Sequence, residues 1–311
     1  MKLYPINVME FQDMFPTDQA CYEYLCLVRW PEGFACPYCQ HREAWKMKRF
    51  ILRCKQCKRD ISVTAGTIFQ DRRISLRLIF QAMWYVVCQK QGVSALGLQG
   101  ILGLGSCRIV WAWLHKLRTA MVRPGRDLLS GTVEVDESLV GGAHVGKRGR
   151  GAEGKELVLI AVEDNNQKGI GRIRLKHIPD ASGPTLEKAV IELTAPGSMV
   201  RTDGWRGYSS LGKRGFSHMV VKHNEKEPGD NPTPLVHLVA SLLKRWLLGT
   251  HQGSQNFSHL HYYLDEFTFR FNRRSSRSRG QLFYRLVQQS LQVEPVPVLT
   301  LKAPKADSNF T

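Results

Sequence analysis

Four cysteines in two closely spaced pairs define the first chemistry in this chain. Cys36 and Cys39 form one Cys-x-x-Cys pair, Cys54 and Cys57 form a second, and 14 residues separate the pairs. A two-residue spacing lets a tight turn aim both thiolates at one ion, and two such turns complete a tetrahedral shell. We therefore predict a structural Zn²⁺ site in a zinc ribbon. The alternative is a redox-active Cys-x-x-Cys, but such a motif normally occurs once and opens a helix.

Two aspartates form the second set of candidate residues. Asp136 lies within the alternating segment 132–138, and Asp203 directly follows the apolar segment 198–202. Two carboxylates brought together repel each other unless a divalent cation such as Mg²⁺ or Mn²⁺ shares them. Two such ions about 4 Å apart can activate an attacking oxygen and stabilise a leaving one in phosphodiester chemistry. The alternative is that each aspartate only caps a turn.

The surrounding elements predict how these aspartates would meet. Alternating or apolar segments predict strands over 132–138, 157–163, 171–178, 198–202 and 218–221, with helices over 184–194 and 234–248. This order is typical of a ribonuclease H-like α/β fold with a mixed sheet, in which the strands carrying Asp136 and Asp203 are neighbours. We predict a zinc ribbon over 15–62, a helical region over 70–122, this catalytic domain over 130–290 and a disordered tail over 291–311.

The helical region contains a candidate DNA-reading element. A short helix beginning near Val93 leads through the turn Gly103-Leu104-Gly105-Ser106 into a longer helix over 107–121. This layout is typical of a helix-turn-helix. Helix pairs joined by glycine turns are common in any α-rich region, so a purely structural role is the alternative.

The charge of the chain favours a nucleic-acid partner. The 311 residues include 44 Lys and Arg against 27 Asp and Glu, a formal charge of +17. Such a field favours a polyanion over a small neutral ligand. No apolar run reaches the roughly 18 residues that a membrane span needs, and the first residues lack the layout of a signal peptide. We expect a cytoplasmic protein with no membrane partner.

Five ordered motifs over about residues 15–290 resemble the ISXO-type bacterial insertion-sequence transposases, which combine a zinc ribbon with a DDE-type domain. Besides the ribbon they are Val-Glu-Val-Asp136-Glu-Ser-x-x-Gly-Gly, Thr-Asp203-Gly-Trp-x-Gly-Tyr, the run from His237 to His251, and the segment from Tyr263 to Arg274. The resemblance implies metal-dependent cleavage of the element ends and transfer of the freed 3′-hydroxyl to target DNA. It also implies double-stranded DNA partners, a homo-oligomer on DNA and association with the nucleoid.

The resemblance implies a third catalytic position where this chain departs from the family pattern. Asp136 and Asp203 match the first two positions, but the place of the usual glutamate, 34 residues beyond Asp203, holds His237. We predict His237 as the third metal ligand, although imidazole suits Mn²⁺ or Zn²⁺ better than Mg²⁺. Lys244 lies on the same helical face and is predicted to act at the DNA. Glu266 and Glu137 are the alternative carboxylates.

Basic residues near these motifs are the predicted DNA contacts. They are Lys244, Arg245, Arg270, Arg273 and Arg274, of which the last three open an arginine-rich segment. Arginine suits bidentate phosphate contacts, whereas a solvated basic loop is the alternative. A catalytically decayed, non-enzymatic DNA-binding protein is the main rival function, and a nuclease without strand transfer is another.

Overall fold

The computed structural model describes residues 3–123, 125–141, 155–165, 169–221, 231–251, 257–297 and 301. The chain divides into two compact units. One unit is Met1–Pro124 together with Ser276–Thr311, and the other is Gly125–Ser275. The predicted catalytic domain therefore ends earlier, by this division, than the expected residue 290.

Among its described residues, the first unit combines a small sheet with six α-helices. Its strands β1–β3 form one antiparallel sheet in chain order. In order along the chain, these elements are α1 (Val8–Met14), α2 (Asp18–Arg29), β1 (Ala44–Lys46), β2 (Ile51–Cys54), β3 (Asp60–Ser62), α3 (Leu76–Cys88), α4 (Ala95–Leu102), α5 (Cys107–Ala120) and, after the second unit, α9 (Arg279–Ser290).

An aromatic cluster explains why α9 belongs to the first unit. Phe283 of α9 is fully buried, and its ring centroid lies 5.5 Å from those of Phe11 and Phe80 and 5.6 Å from that of Phe15. Edge-to-face and tilted rings at these separations add to the hydrophobic gain of burial. The apolar face of α9 therefore completes a core made by the amino-terminal helices, and a boundary at residue 290 does not follow the packing.

Helices α4 and α5 have the connectivity expected of the helix-turn-helix. Ser94 caps α4 by accepting a hydrogen bond from Gly97 N at 3.1 Å, and Gly103 ends the helix with a left-handed φ of 62°. The two helices are bent by 111° at the turn. Within the described residues no single helix is long and apolar enough to cross a membrane.

The second unit is built on a five-stranded sheet of order β6-β5-β4-β7-β8. Pairs β4–β5 and β5–β6 are antiparallel, whereas β4–β7 and β7–β8 are parallel. This is the ribonuclease H-like arrangement, so the predicted α/β fold is confirmed. In chain order the elements are β4 (Thr132–Val140), β5 (Glu156–Asp164), β6 (Ile170–Ile178), α6 (Gly183–Leu193), β7 (Met199–Thr202), β8 (Ser217–Val220), α7 (Pro234–His251) and α8 (Leu260–Phe271).

Alternation along β4 divides the second unit into two cores. Val133 and Val135 pack with Leu186 of α6 on one face of the sheet. Val140 packs with residues of α7 and α8 on the other face. Because successive side chains point to opposite faces of a strand, Glu134 and Asp136 face the α7 side with Val140. A strand that is apolar on one face therefore presents carboxylates on the other.

Most of the predicted disordered tail, residues 291–311, lies outside the described residues. Residues 291–297 and Leu301 are described, and Leu301 is fully buried. Pro295 and Pro297 line a groove that is also lined by Arg108 and Trp113 of α5. This part of the carboxy-terminal segment therefore packs against its own unit.

Candidate active site and metal centres

The zinc-ribbon cysteines converge because two similar turns carry them. Gln40 N donates to Cys36 O at 2.9 Å, and Lys58 N donates to Cys54 O at 3.1 Å. In each turn the residue after the second cysteine has a left-handed φ, 60° at Gln40 and 58° at Lys58. The same local fold therefore occurs twice and directs two sulfur atoms each time toward a common point.

The sulfur atoms match the geometry of one tetrahedral zinc ion. Cys36 Sγ lies 3.6 Å from Cys57 Sγ, Cys39 Sγ lies 3.5 Å from Cys54 Sγ, and all four lie within 4.8 Å of one another. Four Zn–S bonds of about 2.3 Å would place the sulfurs about 3.8 Å apart. Burial opposes ionisation of the Cys36 thiol, but backbone N–H donors at Tyr38 and Cys39 lower its pKa to about 6. The donor set fits structural Zn²⁺.

The register of two parallel strands brings Asp136 opposite Asp203. Glu134 of β4 pairs with Arg201 of β7. Asp136 and Asp203 each follow two residues later, so continuing the register places them side by side. Both side chains face the side of the sheet that α7 covers. Asp136 is buried, whereas Asp203 is half-buried.

Two hydrogen bonds hold the carboxylate of Asp136, and its charged neighbours change its pKa. Glu137 N donates to its Oδ1 at 2.7 Å, and the Thr233 hydroxyl donates to its Oδ2 at 3.0 Å. Burial, followed by the charges of Glu137 and Asp203, raises the pKa of Asp136 from 3.8 to about 6. A divalent cation would relieve this repulsion, because it supplies the positive charge that the carboxylates lack.

Asp203 also makes the turn-capping contact that was the alternative interpretation. Its Oδ1 accepts a hydrogen bond from Trp205 N at 3.0 Å, an arrangement in which aspartate bonds the backbone two residues on. Capping the turn and facing Asp136 are compatible. The hydrogen bond fixes the direction of the carboxylate at the end of β7.

His237 lies beside Asp136. It sits in the first turn of α7, its Nε2 is 3.5 Å from Asp136 Oδ2, and its side chain is 54% exposed. The structure therefore brings together the predicted first and third ligands, with the imidazole open to solvent. Among the described residues, only the four cysteines form a group of three or more candidate ligand atoms within 4.8 Å of one another. Asp136, Asp203 and His237 do not form such a group.

Lys244 and Arg245 lie farther along α7 and are both exposed. Lys244 follows His237 by seven residues, nearly two helical turns, so both share a face of the helix. Although the side chain is exposed, desolvation of its charged group, followed by the charge of Lys155, lowers the pKa of Lys244 below its ordinary value. Lys244 and Arg245 together present two exposed positive charges to which an anion could bind.

The arginine-rich end of α8 differs from the prediction at Arg270. Its side chain is only 12% exposed, and its guanidinium donates to Glu266 Oε1 at 2.6 and 2.8 Å. Glu266 is itself buried. Residues four apart on a helix are neighbours, and a buried carboxylate requires such a partner. Arg270 is therefore an ion-pair partner of Glu266 in the core, a role that the sequence did not predict, while its contact with DNA stays a prediction.

The following residues attach α8 to the edge of the sheet. Asn272 Oδ1 accepts from Ile173 N at 2.8 Å, and its Nδ2 donates to Ile173 O at 3.1 Å. The guanidinium groups of Arg273 and Arg274 lie over the rings of Phe269 and Phe271, at 4.1 and 4.2 Å. Arg274 also donates to Phe271 O at 3.0 Å. Structural contacts therefore account for much of this motif.

Three residues near the site were not singled out from the sequence. Thr233 binds Asp136, and Tyr208 OH donates to Glu137 Oε2 at 2.6 Å. Glu134 is the third, a fully buried carboxylate in an apolar strand. The signal for Glu134 was available, because it shares the parity of Asp136 on β4. Nothing in the spacing of Thr233 or Tyr208 pointed to the partners that folding brings to them.

The comparisons with known proteins agree with this architecture. Residues 128–272 match the ISXO2-like transposase domain, and residues 16–60 match the transposase zinc-ribbon domain. The chain therefore belongs to the ISXO2-like, DDE-type transposase family, as the sequence motifs predicted. It is also similar to an uncharacterized protein in transposable element ISH50 of Halobacterium salinarum. The two are 25% identical over 263 residues, which cover 77% of this chain and 86% of the relative.

Proposed function

We propose that this protein cleaves the ends of an insertion sequence and joins the freed 3′-hydroxyl to target DNA, with Asp136, Asp203 and His237 as ligands of the catalytic metal. The observation that carries the proposal is the meeting of three elements at one place. Asp136 and Asp203 each lie two residues beyond the register pair Glu134 and Arg201, and His237 Nε2 lies 3.5 Å from Asp136 Oδ2. Family membership supports the reaction class.

The donor set fits a divalent cation of the Mg²⁺ or Mn²⁺ type. Asp136 and Asp203 supply carboxylate oxygens, and His237 supplies an exposed imidazole nitrogen. Bound there, the cation would polarise the phosphodiester and lower the pKa of an attacking oxygen. Asp136 must be ionised to bind the cation, and the hydrogen bond from the Thr233 hydroxyl favours its ionised form. Imidazole shifts the expected preference toward Mn²⁺.

We propose that DNA lies along the exposed basic face of α7. Lys244 and Arg245 are exposed there, and Lys244 shares the helical face of His237. Arg273 and Arg274 can add phosphate contacts from the end of α8, because stacking on phenylalanine leaves guanidinium groups able to donate. The net charge of +17 adds long-range attraction. Helix α5 and the zinc ribbon are proposed to recognise the element ends, and pairing two ends implies a homo-oligomer.

A second function, DNA binding without catalysis, is kept open by one observation. A histidine occupies the position where the family pattern has a glutamate, and it is more than half exposed. A decayed enzyme would retain the ribbon, the helices and the basic face while losing cleavage. The two functions differ in one measurement, cleavage of DNA that carries the element's own ends.

The deciding experiment compares the proposed ligands Asp203 and Asp136 with Asp180, which makes the same turn contact as Asp203. Asp203→Asn and Asp136→Asn should abolish cleavage of element-end DNA in Mg²⁺ or Mn²⁺ and leave DNA binding intact, since the change is nearly isosteric but removes a ligand charge. Asp180→Asn is the matched control, because Asp180 Oδ1 accepts from Ser182 N at 2.8 Å, two residues on, as Asp203 accepts from Trp205 N. Equal loss in Asp180→Asn, or retained cleavage in Asp203→Asn, would contradict the proposal.

A further inference from the structure

Glu134 is a buried charge at the junction of three elements. Its side chain has 0% exposure, on the same face of β4 as Asp136. A buried carboxylate is costly unless it is paired and hydrogen-bonded. The partners of Glu134 therefore show which elements its charge connects.

The first partner lies on the neighbouring strand. Arg201 Nη2 of β7 donates to Glu134 Oε1, and the two residues are register partners. The same nitrogen lies 3.3 Å from Asp164 Oδ2 of β5. The ion pair therefore ties the strand that carries Asp136 to the strand that Asp203 directly follows.

The other partners lie at the start of α7. Leu235 N and Val236 N donate to Glu134 Oε2 at 2.8 and 3.1 Å. These are the second and third amides of the helix, which have no acceptor within it. A carboxylate at this end is also favoured by the helix dipole. Glu134 therefore caps α7 from a strand about one hundred residues earlier in the chain.

Because Glu134 caps the helix, the Thr233 hydroxyl does not have to accept from the helix amides. Thr233 O accepts the first hydrogen bond of the helix, from His237 N at 3.1 Å, which makes Thr233 the N-cap residue. An N-cap threonine normally accepts from the second or third amide with its side chain. Here both amides bind Glu134, and the Thr233 hydroxyl donates to Asp136 instead.

We propose that Glu134 is a positioning residue of the active site, which sets His237 and Thr233 against Asp136 by holding the first turn of α7 to β4 and β7. The proposal rests on the proposed function for its catalytic meaning. His237 follows the second bonded amide directly, so a displacement of this turn moves the imidazole with it. The carboxylate thus connects the three elements that carry the three proposed metal ligands.

The test uses Glu134→Gln in the full chain, with three measurements. Amide hydrogen exchange at Leu235 and Val236 should become faster. Mn²⁺ affinity, taken as the binding that Asp136→Asn removes, should fall by about 10- to 100-fold, as is usual when a residue that orients metal ligands is lost. The rate of cleavage at saturating DNA should fall, while the DNA concentration for half-maximal rate stays unchanged.

The chain offers a matched control in Glu163→Gln. Glu163 is also a buried strand carboxylate; it pairs with Arg172 and accepts from Ser130 N and Arg172 N at 3.0 and 3.1 Å. None of these contacts involves α7. Glu163→Gln should destabilise the protein comparably, without changing exchange at Leu235 and Val236 or Mn²⁺ affinity. If Glu134→Gln does not fold, Glu134→Asp, which keeps the charge but shortens its reach, is measured against the same criteria.

The proposal is overturned if exchange at Leu235 and Val236 and Mn²⁺ binding in the Glu134 variant equal those of the parent, or if Glu163→Gln weakens Mn²⁺ binding as much. The proposed function fails separately. If the parent does not cleave, or Asp136→Asn cleaves equally well, that function is wrong, whereas exchange and Mn²⁺ binding still decide the role of Glu134. If Asp136→Asn is inactive and Glu134→Gln is fully active, only the positioning role is wrong.

Discussion

The Thr233 hydroxyl donates to Asp136 Oδ2 at 3.0 Å across 97 residues of sequence. A threonine at the start of one helix thereby stabilises the charged form of a carboxylate on the central strand. The contact therefore connects the fold of α7 with the protonation of Asp136.

Thr233→Val should shift the acidic limb of the cleavage pH profile to higher pH. The hydrogen bond from Thr233 lowers the pKa of Asp136, so its removal raises that pKa further above the ordinary value. More alkaline conditions are then needed to ionise the carboxylate. Thr233→Ser keeps the hydroxyl and should preserve the parent profile. Identical profiles for Thr233→Val and the parent would show that this contact does not affect catalysis.

The raised pKa of Asp136 also predicts how stability changes with pH when no divalent ion is added. The pKa is about 6 in the folded chain against 3.8 ordinarily, so between these values the folded state binds more protons than the unfolded state. The free energy of unfolding should therefore fall as pH rises from about 4 to 6 and then level off, as far as this group is concerned.

Asp136→Asn should remove this contribution. At pH 7 the variant should be more stable than the metal-free parent by about 1 to 3 kcal/mol, since one pKa unit corresponds to about 1.4 kcal/mol. Urea unfolding across the pH range measures the difference. A variant that is less stable than the parent at pH 7 would show that the Asp136 charge is not destabilising.

His237 should determine which metal supports cleavage. A ligand imidazole favours Mn²⁺, so the parent should cleave faster in Mn²⁺ than in Mg²⁺, and His237→Glu should retain or improve cleavage in Mg²⁺. His237→Ala should lose activity with either ion. Leu238→Ala alters the neighbouring exposed residue and serves as the control. Full activity of His237→Ala would demote the histidine and return attention to Glu137.

The basic residues of α7 and α8 should separate into two groups. Lys244→Ala and Arg245→Ala should weaken binding to all DNA sequences and reduce its salt dependence, with little effect on stability, because both residues are exposed. Arg270→Ala should lower the free energy of unfolding by about 3 kcal/mol, since it leaves buried Glu266 without its partner. Filter binding at two salt concentrations and urea unfolding check the two effects. A stable Arg270→Ala chain with weak DNA binding would reverse the assignment.

The zinc ribbon should depend on its ion for folding. Its buried core consists of little more than Cys36, Cys54 and Ile61, which is too small to hold the ribbon without a metal. Cys54→Ser should reduce bound zinc and increase proteolysis within residues 36–62. Cys21→Ser, at a buried cysteine outside the quartet, is the control. Equal zinc content in Cys54→Ser and the parent would contradict a Cys₄ site.

The ribbon, the order of strands and the two aspartates were accessible from the sequence because they depend on local spacing. Two Cys-x-x-Cys pairs need only local turns to aim four thiolates at one ion, and period-two alternation predicts strands without knowledge of their partners. The sheet order then follows from few connection rules. Asp136 and Asp203 could therefore be placed together before any tertiary contact was known.

Only the tertiary structure decided which partners the individual charged side chains have. Arg270 and Arg273 look alike in an arginine-rich segment, but helical spacing and burial pair Arg270 with Glu266, while Arg273 stacks over Phe269. In the sequence Glu134 resembles any polar residue of a strand. In the fold, two backbone N–H groups of α7 donate hydrogen bonds to it. Such roles depend on the local dielectric and on partners far away in sequence, neither of which is encoded by the residue's immediate neighbours.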